Sequence, residues 1–265
     1  MTNSKTYEID RLRLYFGEPF SIKIPSINPN IPYKDLIIYQ PTIGDIIDFG
    51  EKKLYSAVNI FVANSTMYRL QLWELGLDWN ELSDFEVFSM LMTSLTIEDT
   101  KLLFGDVDFS KFKPMKKRMP DSEEAELVMY NAEQDIEINE EIHGILCHYI
   151  RTMFNIFPKR EFAKGKATKK ALIWEDRQKL KVEKDITHSS TLLPMISSCL
   201  NHPGFKYKKN ELREVGIVEF MDSVQRLQIY ESTTALLRGM YSGFMDTSKI
   251  DKEQFNFMRE ISLTH

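Results

Sequence analysis

Three observations predict a mainly α-helical, multi-helix chain with a small N-terminal β element, an α+β fold. Residues 7–40 alternate apolar and polar side chains between turn residues. From Thr42 the apolar spacing changes to the helical period. The second half then reads as successive helices separated by glycine, proline and polar breaks.

In the N-terminal part, RLRLYF and FSIKI alternate like strands, with GEP as the turn between them. IPSINPNIPY holds three prolines in ten residues and reads as an extended connector before a short buried strand, LIIY, at 36–39. In QPTIGDIIDFGEKKLY, Gln40-Pro41 ends that strand. Thr42 caps a helix, with Asp45 three residues on completing a capping box, and Gly50 interrupts it. Ile43, Ile46, Ile47, Leu54, Val58 and Phe61 form its apolar stripe. A shorter helix is expected over 65–75. Ser83 and Glu86 box another that runs to about Ser94.

Residues 121–141 contain nine acids and no Lys or Arg, so 113–141 reads as an exposed acidic connector with room for a short strand at ELVMY. It divides an N-terminal unit, 1–112, from a C-terminal helical unit, 142–265. Helices are expected over NEEIHGILCHYIRTMFNIF, over 166–183, over SSTLLPMISSCL, and from Asn210 to about Tyr241. A short terminal helix is expected in DKEQFNFMREI.

Several chemistries find little footing. With 265 residues and a net charge of −5, the chain has material for a core but not the basic excess of a dedicated nucleic-acid binder. No apolar run reaches the ~18 residues that would span a bilayer. Two cysteines suit a reducing cytoplasm. The TIGD turn has one glycine, no following GK[ST], and carboxylates where a phosphate would sit, so it reads as a helix cap. GxSxG and the calcium-loop spacing are both lacking, and no catalytic constellation or cofactor is expected.

Three groups of residues remain as candidates. His143 and Cys147 lie one helical turn apart, and Cys199 and His202 form a second close pair. Together they could build a tetrahedral zinc site, but the spacing is permissive rather than diagnostic. Packed-core positions for the first pair and a helix-end role for His202 are the better reading. Residues 159–184 hold ten Lys or Arg against four acids, including Lys164, Lys166, Lys169, Lys170 and Arg177. Such a tract suits nucleic acid, a solvated face, or pairing with the acidic stretch 121–141. Met90, Met92, Met221, Met240, Met245 and Met258 are consistent with an adaptable surface for apolar partners.

The phrases LIIYQPTIGDIIDFGEKKLYSAV, LQLWELGLDWNELSDFEVFSML and HPGFKYKKNELREVGIVEFMDSVQRLQIYESTTALLRGMYSGFMDTSKI resemble a family of tailed-bacteriophage proteins from phages of Gram-positive hosts, described as tail assembly chaperones or uncharacterised tail-module proteins. The resemblance covers about two thirds of the chain and is weakest over 105–200. It implies a non-enzymatic protein in the cytoplasm of the infected host. Its expected partners are tape measure protein or tail tube subunits, with self-association open and no membrane role. A structural or connector protein of the virion is the alternative, followed by a nucleic-acid-associated factor using the basic tract.

Overall fold

The computed structural model describes residues 8–26, 32–118, 125–183, 190–243 and 248–261. The fold is mainly α-helical: ten α-helices and two small antiparallel sheets are present among the described residues.

The first element departs from expectation. RLRLYF forms helix α1 (Arg11–Tyr15), because the Asp10 carboxylate accepts the Leu12 and Arg13 N–H groups at 3.0 and 3.1 Å. Only Leu14 of its apolar residues is buried, while Leu12 and Phe16 face solvent. An alternation of six residues had too little length to tell a strand from one helical turn. β1 (Phe20–Pro25) and β2 (Tyr33–Ile38) do pair, with Ile22 opposite Leu36 and Phe20 opposite Ile38. Ile22, Ile24, Leu36 and Ile38 turn the same face to the core.

α2 (Ile43–Phe49) starts at the expected capping box. The Thr42 hydroxyl accepts the Asp45 N–H at 3.1 Å, and the Asp45 carboxylate accepts the Thr42 N–H at 2.9 Å. Gly50, at φ +100°, separates it from α3 (Glu51–Phe61). α4 (Arg69–Glu74) and α5 (Asp84–Leu91) follow, the latter boxed by Ser83 and Glu86. α6 (Ile97–Phe104) was not anticipated, although Thr96 and Asp99 carry the same signal. The Asp99 carboxylate takes both the Thr96 N–H at 3.0 Å and its hydroxyl at 2.7 Å.

The stretch 113–141 is corrected from exposed connector to sheet. β3 (Lys113–Arg118), β4 (Ala125–Asn131) and β5 (Ile136–Ile138) form an antiparallel sheet in that order. Val128, Met129, Ile136 and Ile138 are buried. Of the acids that suggested a solvated linker, Asp135 and Glu137 alternate with Ile136 and Ile138, while Glu140 and Glu141 open the next helix. Glu137, itself buried, accepts two bonds from Lys117 at 2.8 and 2.9 Å. The compensating lysine sits in β3, just before the acidic window begins.

α7 (Glu140–Phe154) is capped by Asn139 and stopped by Asn155 in the left-handed region. α8 (Lys166–Glu183), α9 (Leu192–Asn201) and α10 (Ile217–Tyr241) complete the helices. α10 begins seven residues later than the expected Asn210, after a 3-10 turn at Glu211–Glu214. The chain between them crosses the start of α2: Ile43 N–H donates to Val215 O at 2.9 Å, and Ile217 N–H to Pro41 O at 3.0 Å. The terminal segment forms only a 3-10 turn, Lys252–Phe255.

One apolar core runs from Leu14 through the sheets and α3 to Phe220, drawing on residues before, within and after the acidic stretch. A second, smaller core joins Ala63, Leu70, Leu72, Trp79 and Val87 to Ala163 and Ile173. It fastens α8 to the α4 region.

Candidate functional site

The zinc candidates do not converge. Among the described residues no group of three or more His, Cys, Asp or Glu side chains is placed to hold a metal ion. His143 and Cys147 share the buried face of α7, where His143 stacks on Phe88 with ring centroids 4.5 Å apart. Cys199 is buried in α9. His202 lies beyond the end of α9. Its Nδ1 accepts the Gly204 N–H at 3.0 Å, so Nε2 carries the proton toward Glu231, 3.1 Å away. Each ring and thiol therefore has a local packing role.

His143 has a consequence for stability. Burial first, and the Arg151 charge second, bring its pKa down to about 3, and its Nε2 has no hydrogen-bond partner. Burial likewise pushes the Cys147 thiol up to about 12. An unfolded histidine binds a proton below about pH 6.5, while the folded one stays neutral. Stability is thus fully present above that pH and declines as pH falls toward the folded value. The expected loss is about 2 kcal/mol between pH 7.5 and 5. His143→Leu should flatten this part of the profile, as measured by urea unfolding at both pH values. An unchanged slope would remove His143 as its source.

The methionines do not form one surface. Met92 is fully buried, Met221 and Met240 are half-buried, and Met90 and Met258 are exposed. Met245 lies outside the described residues. Met92 is thus core, and a proposed apolar surface rests on other side chains as well.

The basic tract is built differently. Residues 158–163 are strapped to the α3–α5 region by side chains that bind backbone carbonyls. Asn64 Nδ2 donates to Pro158 O at 3.0 Å and Lys159 O at 3.2 Å, and Asn80 Nδ2 donates to Ala163 O at 2.8 Å. α8 then lies along α4. At their interface Arg69, only 6% exposed, donates two bonds to Asp176 at 2.5 and 2.7 Å and a third to Glu161. These bonds, Asp176 foremost, raise the Arg69 pKa and hold the guanidinium charged. Lys169 pairs with Asp78, and Arg177 reaches Glu74 at 3.5 Å. Among the described residues the tract finds these acids in the α4–α5 region, 65–84; pairing with the acidic stretch 121–141 was one of the three readings left open by the sequence. Lys164, Lys166 and Lys170 remain exposed.

Sequence reasoning missed Arg69, Glu161 and Asp176. Arg69 stands 92 and 107 positions from the two acids, and no short motif joins them. It also passed over Trp174, whose indole is 63% exposed on the outer face of α8.

Two hollows adjoin these helices. An open groove of about 610 Å³ lies against α3 and α6, with Lys53, Ser56, Ile60, Leu95 and Asp99 in its lining. Lys53 and Asp99 approach to 3.9 Å across it. A smaller hollow of about 320 Å³ lies between α4 and α8, over the Arg69 cluster.

Where Lys206, Tyr207, Glu219 and Asp222 gather near α1, the Tyr207 hydroxyl binds Glu219. Lys206 approaches the same carboxylate at 3.4 Å. Burial raises the Asp222 pKa, while the Arg226 charge opposes the shift. This cluster ties the 204–208 loop to α10.

Apolar surface is instead displayed on long helices. α10 has 25 residues, yet Ile217, Phe220 and Thr233 are its only buried ones. Tyr230 and Tyr241 face solvent from it, Tyr230 against the Phe257 ring of the terminal segment at 5.5 Å between centroids, and Met258 is exposed as well. No helix among the described residues is long and apolar enough to cross a membrane. Compared with protein-family models, curated proteins and solved structures, the chain matches none.

Proposed function

We propose that the chain is a non-enzymatic assembly factor that transiently covers apolar helices of other proteins, acting as a tail assembly chaperone of a tailed bacteriophage. The observation that carries the binding role is the placement of large apolar side chains on the outer faces of α8 and α10, Trp174, Val182, Tyr230 and Tyr241 among them. Large apolar groups left in water favour association. A helical client with an exposed apolar stripe gains the complementary burial, and unprotected stripes of that kind aggregate. The phage setting and the tape measure or tube partners are supported by the phrase-level resemblance of residues 36–58, 70–91 and 202–250.

Co-expression with a tape measure fragment tests the proposal. The fragment should stay soluble and co-purify with this chain. Equal precipitation with and without it would defeat the chaperone reading. Purified particles should contain little of the protein by mass spectrometry, whereas stoichiometric amounts would make it a virion component.

A further inference from the structure

We infer that the outer face of α8 is a docking surface for an acidic amphipathic helix of a partner protein. This rests on the reading of the chain as a protein-binding factor and names the surface and partner chemistry it would use.

α8 has two distinct rows. The inner row, Lys169, Ile173 and Asp176, is spaced i, i+4, i+7 and is occupied by the body. Ile173 is buried, Asp176 is held by Arg69 and Lys169 by Asp78. Opposite it runs an outer row of Ala167, Ala171, Trp174, Gln178 and Lys181, spaced 4-3-4-3. That spacing averages 3.5 residues, the repeat by which one helix keeps a seam against another. The alanines preceding Trp174 allow close backbone approach, so the indole can fill a hole in a facing helix.

Charge then selects the partner. Lys166 and Lys170 are exposed beside the row and Lys181 at its end, so carboxylates flanking an apolar seam complement it. A second copy of α8 would set lysine against lysine. A single-stranded nucleic acid would find one aromatic on the row, whereas strand binding relies on successive stacking platforms. The exposed Glu175 beside Trp174 would also repel its phosphates, while a partner helix can meet that acid with a lysine.

The full chain is titrated with a synthetic amphipathic peptide of about three heptads, Leu at its seam and Glu at its flanks. Its twin carries Lys for Glu, and further arms use oligo-dT and vesicles rich in anionic lipid. The acidic peptide should bind at least about tenfold more tightly than its twin, and should weaken as salt rises from about 50 to 300 mM. Trp174→Ala and the pair Lys170→Glu/Lys181→Glu should each lower its affinity about tenfold without moving the melting temperature, because these side chains are exposed. Equal binding of the twins, variants that bind like the parent, or tighter Trp174-dependent binding of oligo-dT or vesicles would each overturn the inference. If the peptide fails while the tape measure fragment is still kept soluble, only the surface assignment falls. If both fail, the binding role falls with it.

Discussion

Gly44→Ala is expected to destabilise the protein by about 2 kcal/mol, reversing the usual gain when alanine replaces a helical glycine. The residue lies in α2, where alanine alone would favour the helix by about 1 kcal/mol. Space decides the sign. A Cβ on Gly44 would sit 2.8 Å from the Arg213 carbonyl oxygen and 3.3 Å from Arg213 Cβ. The first of these is backbone, set in the 3-10 turn Glu211–Glu214 and followed at once by the Ile43–Val215 and Ile217–Pro41 hydrogen bonds. It cannot swing aside as a side-chain tip would, so the crossing must open or the helix must shift. For a chain of this size the loss corresponds to a fall of about 4–8 °C in melting temperature. Gly165→Ala is the control, since its Cβ would meet only the Thr168 hydroxyl at 3.8 Å. It should stay within about 0.5 kcal/mol of the parent. A Gly44→Ala protein that melts with or above the parent would show that the crossing is looser than drawn.

That crossing also shows what sequence could and could not reveal. Thr42 and Asp45 announced the helix start, because a cap is a local arrangement within four residues. The same stretch did not say why a glycine stands between them. The reason is a carbonyl 169 positions away, at Arg213. Apolar periodicity located the start of α7 within a residue but carried its end to Phe157, three residues past Phe154, where the left-handed Asn155 stops it. α8 was placed by its run of basic residues. Periodicity failed where a segment was short, as at α1. It failed again where compensation came from outside the window considered, as for Glu137 and Lys117 in the central sheet. The candidate sites fared according to the same rule. His143 and Cys147 lie one turn apart as expected, but Phe85 and Phe88 of α5 pack on His143, and Cys147 is buried on the same helix face, which makes them core rather than ligands. The basic tract was visible as a count of charges. Which charges are consumed by Asp78, Glu74 and Arg69, and which face outward, follows only from the docking of α8.

Arg69→Met should remove that docking at its centre and cost about 3 kcal/mol. The guanidinium sits between Asp176, whose side chain is 19% exposed, and Glu161, which is 53% exposed. Removing it leaves the more buried carboxylate without its partner, and the desolvation of Asp176 is then uncompensated. Solvent reaches Glu161, so the cost belongs at the lower end of the range for broken buried pairs. The double variant Arg69→Met/Asp176→Leu should recover more than half the loss, because an apolar pair needs no charge compensation and Ile173 already supplies an apolar neighbour. Urea unfolding measures both, and trypsin sensitivity at the lysines of α8 reports whether the helix has come away locally. A single variant within about 0.5 kcal/mol of the parent, or a double variant no better than the single, would show that the ion pair does not hold the helix. If it does hold it, Arg69→Met should also weaken the acidic peptide although Arg69 lies on the opposite side of α8 from Trp174. The outer row can present a rigid seam only while the inner row stays fastened.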